Sequence, residues 1–377
     1  RTEMRVLIDL TSLADNFSGI ERFALSITKE LISDQSRRDI EYTLLFKNEV
    51  HKEFLIEQNN VKNIVINGKN KLIFNQVQLP LRLATIKADY YFFPAFPAPF
   101  FFFNRNAISA IHDVGCWDCP SKNKKYMTLY FKIMYRKAAH GHKRVVTVSH
   151  FSKNRISKIL KKKSDEIAVI YDGLSDCFAN FNYEKDQDLK AKEAYGLPEN
   201  YILCLSTLEP RKNMRLLVDA FSNLIQEKKI DTNLVLAGRK GWLIDDLLSD
   251  LDEKIINRIH FTGFVDDNLL PYVYKNAQVF VFPSVYEGFG VPPIEAMSMG
   301  VPVISSDAAS LPEVLGDSAF YFENRNLEEL KKQIVSVMNL TQIQINLVKE
   351  KGIIQASKYS WETEAIKFEK ILLEEYN

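Results

Sequence analysis

At 377 residues the chain is too long for one hydrophobic core and suits two domains of ordinary size. Its 46% apolar and 26% charged residues exclude a disordered or fibrous protein. The net charge of +1 conceals an asymmetry: residues 1–180 hold 28 Lys and Arg against 18 Asp and Glu, and the remainder 21 against 30, so halves of +10 and −9 are expected to meet different partners.

Four cysteines (Cys116, Cys119, Cys177, Cys204) are too few for a disulfide framework, and no apolar leader opens the chain, so a reducing cytoplasm is the expected compartment. The longest apolar stretch, Tyr90 to Phe103, is broken by Pro94, Pro97 and Pro99, and no bilayer crossing is expected. Arg1 to Glu3 precede the apolar run that Met4 opens and are expected to be an appended remnant.

Short β-branched or aromatic runs then alternate with longer helical patterns, the rhythm of βαβ units and a parallel sheet. Strands are predicted at Arg5–Asp9, Tyr42–Phe46, Asn63–Ile66, Tyr90–Phe93, Ala107–Ile111, Arg144–Val148 and Ile167–Tyr171, with helices at Gly19–Leu31, Lys125–Ala139 and Ser152–Leu160. After Tyr171 a polar segment without apolar period runs to about Lys192 and marks the boundary between domains 1–178 and 179–357. A second alternation follows, with strands at Tyr201–Leu205, Asn233–Ala237, Ile259–Phe261, Val279–Phe282, Val303–Ser305 and Ala319–Phe322. Its helices are predicted at Met214–Glu227, Leu243–Ile255, Leu269–Lys275 and Pro293–Met299. Beyond Asn326 the pattern is helical, and residues 358–377 are expected to form a C-terminal helix that packs back toward the first domain. Two doubly wound, Rossmann-like α/β domains place a ligand cleft where the carboxyl ends of both sheets face each other.

The most informative segment runs from Val279 to Val303. A buried strand ends at Pro283, the loop Glu287-Gly288-Phe289-Gly290-Val291 follows, and Pro292 and Pro293 open a helix, where the first turn has no hydrogen-bonded N–H to lose. Such a loop aims amide N–H groups and a helix dipole at an anion, and glycine lets the ligand come close. Glu287 and Glu295, eight positions apart, suit sugar hydroxyls better than phosphate. The segment resembles the paired-glutamate motif of glycosyltransferase family 4, matching at Pro283, Ser284, Glu287 to Gly290, Pro292, Glu295 to Met297, Gly300, Pro302 and Val303. The resemblance implies a GT-B fold, a donor-sugar contact for Glu287 and a ribose contact for Glu295.

The likeness covers nearly the whole chain. Leu205 to Phe221 resembles the family's strand-turn-helix with an Arg-Lys pair, here Arg211 and Lys212, two cations suited to a diphosphate leaving group; Glu209, Pro210 and Asn213 also match, and Ser206 departs from the usual glycine. Leu10 to Phe23 resembles the first glycine-bearing loop but keeps only Gly19. His112-Asp113 ends a strand and resembles the family's His-Asp pair, implying a donor-sugar contact for His112. The turn at Val148 to Ser152 matches too, with Ser152 read as a helix N-cap. Gly238, in Ala237 to Trp242, and Phe264 with Val265, in Phe261 to Val265, match turns that approach the nucleotide in the family; Ser310 to Val314 completes the match.

Two other motifs have metal-like spacing. Asp186-Gln187-Asp188 lacks a preceding apolar strand and is read as solvated; Cys116-Trp117-Asp118-Cys119 lacks a second Cys pair and is read as two ordinary cysteines. No metal and no cofactor are expected. The resemblance implies a metal-independent hexosyltransferase that retains anomeric configuration, the leaving phosphate accepting the acceptor's proton. The AGRKGW and SSLPEV segments resemble bacterial mannosyltransferases of polysaccharide and O-antigen assembly, which points to GDP-mannose, with UDP-sugars and deoxysugar nucleotides as the alternatives. A nucleotide-sugar epimerase and a non-catalytic nucleotide-sugar-binding module are the rival readings. No nucleic-acid partner is expected, since no recognised motif accompanies the basic segment.

That segment, Cys119 to Ser164, holds 14 Lys and Arg and no acidic residue. With the apolar helix over Lys125 to Ala139 and the apolar loop Phe92 to Phe103, it suits an anionic leaflet. The first domain is therefore expected to lie peripherally on the inner face of the cell membrane, with Lys161, Lys162 and Lys163 at the surface, and to receive a saccharide acceptor linked to polyprenyl diphosphate.

Overall fold

The structure, a computed structural model, describes residues 4–14, 18–33, 39–120, 125–205, 207, 209–238 and 244–376. Arg1 to Glu3, Ser206 and Arg239 to Trp242 lie outside them. The chain divides into two compact units, Arg1–Gly173 with Ser360–Asn377, and Leu174–Tyr359. The division falls five residues before the break in composition at 178, because Phe178 packs edge-on against Tyr274 of the second unit with ring centroids 5.6 Å apart.

In the first unit β1 (Met4–Asp9), β2 (Ile40–Lys47), β3 (Val61–Ile66), β4 (Tyr90–Phe93), β5 (Ala107–Ala110), β6 (Arg144–Thr147) and β7 (Ile167–Val169) form an all-parallel sheet in the order β3-β2-β1-β4-β5-β6-β7. Every residue of β4 and β5 is buried, as expected of central strands covered on both faces. Strand order reverses between β1 and β4, so the crevice of the unit opens at their carboxyl ends. The helix Trp361–Tyr376 completes this unit: Phe368 lies 4.3 Å from Phe92 between ring centroids, and Trp361 meets Phe23 edge-on at 5.5 Å. Gly173 is required here, since a Cβ on it would lie 2.6 Å from the Trp361 amide nitrogen. Burying side chains such as Phe368 contributes roughly 1.5–3 kcal/mol each.

Two local readings change. Ser149, not Ser152, caps the helix His150–Leu160: its hydroxyl accepts the Ser152 N–H at 3.1 Å, and the helix starts two residues earlier than its apolar pattern. Lys162 is buried rather than at the surface. Its Nζ donates to the carbonyls of His142 (2.8 Å) and Lys143 (3.3 Å) and pairs with Glu166 at 3.0 Å, which stabilises a cation away from water. A helical stretch through Lys71–Ile73, Phe74–Gln78 and Leu79–Leu83 has no counterpart among the predicted elements. Phe74, Leu79 and Leu83 face the core while Leu72, Ile73, Val77 and Leu81 face outward, so no amphipathic period marks it.

In the second unit β8 (Tyr201–Leu205), β9 (Asn233–Ala237), β10 (Ile259–Gly263), β11 (Val279–Phe282), β12 (Val303–Ser306) and β13 (Phe320–Phe322) are parallel in the order β10-β9-β8-β11-β12-β13, reversing between β8 and β11. The stretch expected as one helix over Leu243–Ile255 contains two, Ile244–Leu248 and Glu253–Ile256, separated by Asp250 at φ 68°. Asp186-Gln187-Asp188 lies on a helix, Lys185–Tyr195, and Asp188 is buried rather than solvated. Its carboxylate accepts from Tyr183 Oη (3.0 Å), Lys192 Nζ (2.9 Å) and Asn276 Nδ2 (2.6 Å). The helix buries only Asp188 and Ala191, too narrow a stripe to show as a period in the sequence.

Candidate active site

At the switch point of the second unit, the turn after β8 and the loop after β11 meet. The Val285 N–H donates to the Arg211 carbonyl at 2.8 Å, tying one loop to the other. Lys212 Nζ lies 2.5 Å from Glu287 Oε1, and Arg211 Nη1 lies 3.8 Å from Glu287 Oε2 while its Nε bonds Glu209 at 3.1 Å. Lys212 also stands over the Phe282 ring at 5.6 Å. Burial pushes the Glu287 carboxyl up, but Lys212 and Arg211 outweigh it and hold it below the usual carboxylate range, so it is ionised at neutral pH. Half-buried Asn213, at φ 53° before the helix Met214–Gln226, has a buried Nδ2 without a hydrogen-bond partner among the described residues.

Gly290, at φ 104°, caps the helix Val291–Ser298, and a Cβ there would stand 2.7 Å from Leu311 Cδ2, so glycine is required twice over. Pro292 and Pro293 carry no N–H, which leaves Phe289, Gly290 and Val291 to supply amide donors at this end. The buried Ser310 hydroxyl faces the carbonyls of Glu287 (2.9 Å) and Phe289 (3.0 Å) and pins the loop. Glu295 lies in the second turn of the helix, is buried, and accepts the Tyr274 hydroxyl at 2.8 Å. Tyr274 and Ser310 were not readable as site residues; the second sits within a matching segment, but nothing in the sequence says what its hydroxyl bonds.

Gly238 and Gly263 end the adjacent strands β9 and β10, and the Gly238 N–H donates to the Gly263 carbonyl at 3.0 Å. Beyond Gly263, Phe264 is exposed at 58% and Val265 is buried, so an aromatic face is presented next to the strand ends.

In the first unit Gly19 opens the helix Gly19–Ser33 after β1; a Cβ on it would meet nothing within 4 Å among the described residues. Glu21 accepts from the Ser18 N–H at 2.9 Å, fixing the helix start. His112 follows β5. Its Nε2 lies 2.9 Å from the Pro94 carbonyl, which can only accept, so Nε2 carries the proton and Nδ1 is left as an acceptor. Burial lowers the ring's pKa, so it is neutral at pH 7, and Phe23 meets it edge-on at 4.9 Å. Asp9, at the end of β1, accepts from Thr11 N (3.0 Å) and Oγ1 (2.7 Å), and burial raises its pKa; only its strand-end position marks it in the sequence. Gly19 and His112 thus belong to one unit, and Arg211, Lys212, Gly238, Phe264, Val265, Glu287 to Val291 and Glu295 to the other.

Burial pushes the Cys116 thiol up to about 12, which makes it unreactive, and Asp118 pairs with Arg155 at 2.5 Å. Among the described residues no group of three or more His, Cys, Asp or Glu is arranged to hold a metal, and no helix is long and apolar enough to cross a membrane.

Residues 185–352 match the family described as glycosyl transferases group 1. The fold resembles that of sucrose-phosphate synthase from Thermosynechococcus elongatus, with a TM-score of 0.77 at 15% identity over 99% of each chain. It also resembles Anabaena HepE in complex with UDP and glucose, with a TM-score of 0.74 at 18% identity over 98% of this chain and 100% of that one. The protein is a glycosyltransferase of the GT-B fold, and the residues that match the group 1 family lie in its second unit. In sequence it is similar to the O-antigen chain mannosyltransferase B of Escherichia coli, 29% identical over 98% of this chain and 100% of that protein.

Proposed function

We propose that the protein is a retaining mannosyltransferase of cell-surface polysaccharide synthesis, taking mannose from GDP-mannose to a saccharide acceptor linked to polyprenyl diphosphate. The observation that carries the reading is the Arg211–Lys212–Glu287 cluster beside the Gly290 loop, at the switch point where doubly wound sheets bind ligands. Arg211, Lys212 and the amides of Phe289 to Val291 neutralise the diphosphate as its leaving-group charge grows. Glu287 accepts a sugar hydroxyl, Glu295 a ribose hydroxyl, and Phe264 and Val265 flank the base. Gly19 and Gly238 leave room for the donor, and His112 offers Nδ1 to a sugar hydroxyl. No protein base and no metal is needed, because the leaving phosphate takes the acceptor's proton. The similarity to an O-antigen mannosyltransferase supports mannose.

Incubating the protein with GDP-mannose, UDP-glucose and other nucleotide sugars tests this. GDP-mannose is expected to be slowly hydrolysed and to raise the melting temperature, and transfer to acceptor should give a product of retained configuration. Preference for a UDP-sugar overturns the donor assignment; inverted configuration overturns the mechanism.

A further inference from the structure

The first unit carries a cavity of about 540 Å³ at the amino ends of β5, β6 and β7, the edge opposite His112. Arg105, Lys143, Lys161 and Lys163 line it with exposed side chains, beside Glu166. Glu166 is already paired with Lys162, and Lys143 pairs with Glu375 at 3.6 Å, which leaves Arg105, Lys161 and Lys163 as the cations of this lining without an ion pair among the described residues. His142, also in the lining, is buried and its Nε2 has no partner among the described residues. Burial, with Lys137 and Lys162 adding to it, lowers its pKa to about 3, so the ring is neutral.

An apolar surface adjoins this cavity. The loop that leads to Arg105 exposes Phe101 at 60% and Phe103 at 72%. Lys137 fixes the loop, donating to the carbonyls of Pro99 and Phe102 and standing over the Phe103 ring at 5.2 Å. Tyr126, Leu129 and Ile133, at helical spacing, are exposed along Lys125–Gly141, a helix about 25 Å long that runs back toward the edge carrying His112. Gln76 joins the Lys71–Leu83 stretch to both, donating to Tyr130 Oη at 2.8 Å and accepting the Phe100 N–H at 3.0 Å, and so extends the face through Leu72, Val77 and Leu81.

We infer that this face docks on an anionic membrane, with Phe101 and Phe103 entering the acyl boundary and the Arg105–Lys161–Lys163 cavity holding the phosphate of a lipid headgroup. A soluble anion would need the cavity but not the exposed rings beside it; a lipid surface uses both. The inference rests on the reading that the acceptor is lipid-linked, since the apolar helix face joins the docking edge to the carboxyl edge of the sheet, where the first unit is proposed to receive the acceptor.

Sedimentation with phosphatidylcholine vesicles, with and without phosphatidylglycerol, tests it. The full chain is expected to bind the anionic vesicles, less at high salt. Arg105→Glu with Lys163→Glu should lower partitioning by about 25-fold, taking about fivefold per cation, and Phe101→Ser with Phe103→Ser by at least about tenfold. All four positions are exposed, and unchanged melting temperatures check folding. Equal binding to both vesicle types, no binding, or full binding by the charge variant overturns the inference. Thermal stabilisation by inorganic phosphate without vesicle binding overturns it in favour of a soluble anion. GDP-mannose hydrolysis is measured on the same samples: its failure with vesicle binding intact refutes the proposed function alone, and the reverse refutes the docking alone.

Discussion

The carboxyl edges of the two sheets have the same topology and opposite chemistry. In both, strand order reverses beside the first strand of the unit, β1 against β4 and β8 against β11. At the β8–β11 edge the loops bring together two cations and a buried, ionised carboxylate. At the β1–β4 edge they bring a neutral histidine held by a carbonyl and an aspartate held by a threonine. Sheet topology therefore determines where a crevice lies, and the side chains decide what suits it: cations for the diphosphate proposed at one edge, uncharged or shielded groups for the hydroxyl-rich sugar proposed at the other.

The largest effect should come from the charged edge. Lys212→Ala and Glu287→Gln are each expected to lower turnover by about two orders of magnitude or more, read as kcat with saturating donor. They should also lower stability, since breaking this part-buried pair leaves one charge less compensated; chemical denaturation of each variant separates this from the catalytic loss. Near-normal turnover in either would remove the site from the β8–β11 edge.

A smaller loss is expected at the neutral edge. His112→Ala should cost about tenfold to a hundredfold in kcat/KM and strand the Pro94 carbonyl, at about 1–3 kcal/mol of stability. Because burial lowers the histidine's pKa, the ring is uncharged above the ordinary imidazole value, and the rate should show no histidine inflection above about pH 6.5. An inflection there that disappears in the variant would make this edge a charged one too.

Asp172 gives a pH-dependent effect on stability rather than rate. Burial, with the Glu364 charge added, raises its carboxyl from 3.8 to about 7. The folded state then binds more protons than the unfolded one between those values, so stability falls as pH rises from about 4 to about 7 and is level above. Asp172→Asn should remove that fall, its advantage in melting temperature growing over that window; an advantage independent of pH would show that Asp172 titrates normally. The smallest expected effect is of chelation: EDTA should leave the rate unchanged. Loss with EDTA, restored by magnesium or manganese, would mean that the diphosphate is neutralised by a metal rather than by Arg211 and Lys212.

Most strands were legible because buried parallel strands are runs of β-branched and aromatic residues, as in Tyr90–Phe93 and Val279–Phe282, whose observed bounds equal the expected ones. The loop from Glu287 to Gly290 was legible for a related reason: Gly290 and the two prolines satisfy local backbone constraints that any such turn imposes. The sequence by itself determined the alternation, the two-unit α/β class and the residue types at the β8–β11 edge. Tertiary structure decided the rest. The Lys71–Leu83 stretch escaped notice because its outward face is apolar too, and the Lys185–Tyr195 helix because it buries one carboxylate and one alanine. The fates of like residues diverged for the same reason: Lys162 turns inward to carbonyls while Lys161 and Lys163 stay out, and Asp188 is enclosed by Tyr183, Lys192 and Asn276 while Asp186 is not. A charge in the sequence has no partner until distant segments meet, and its burial is set by what those segments bring to it.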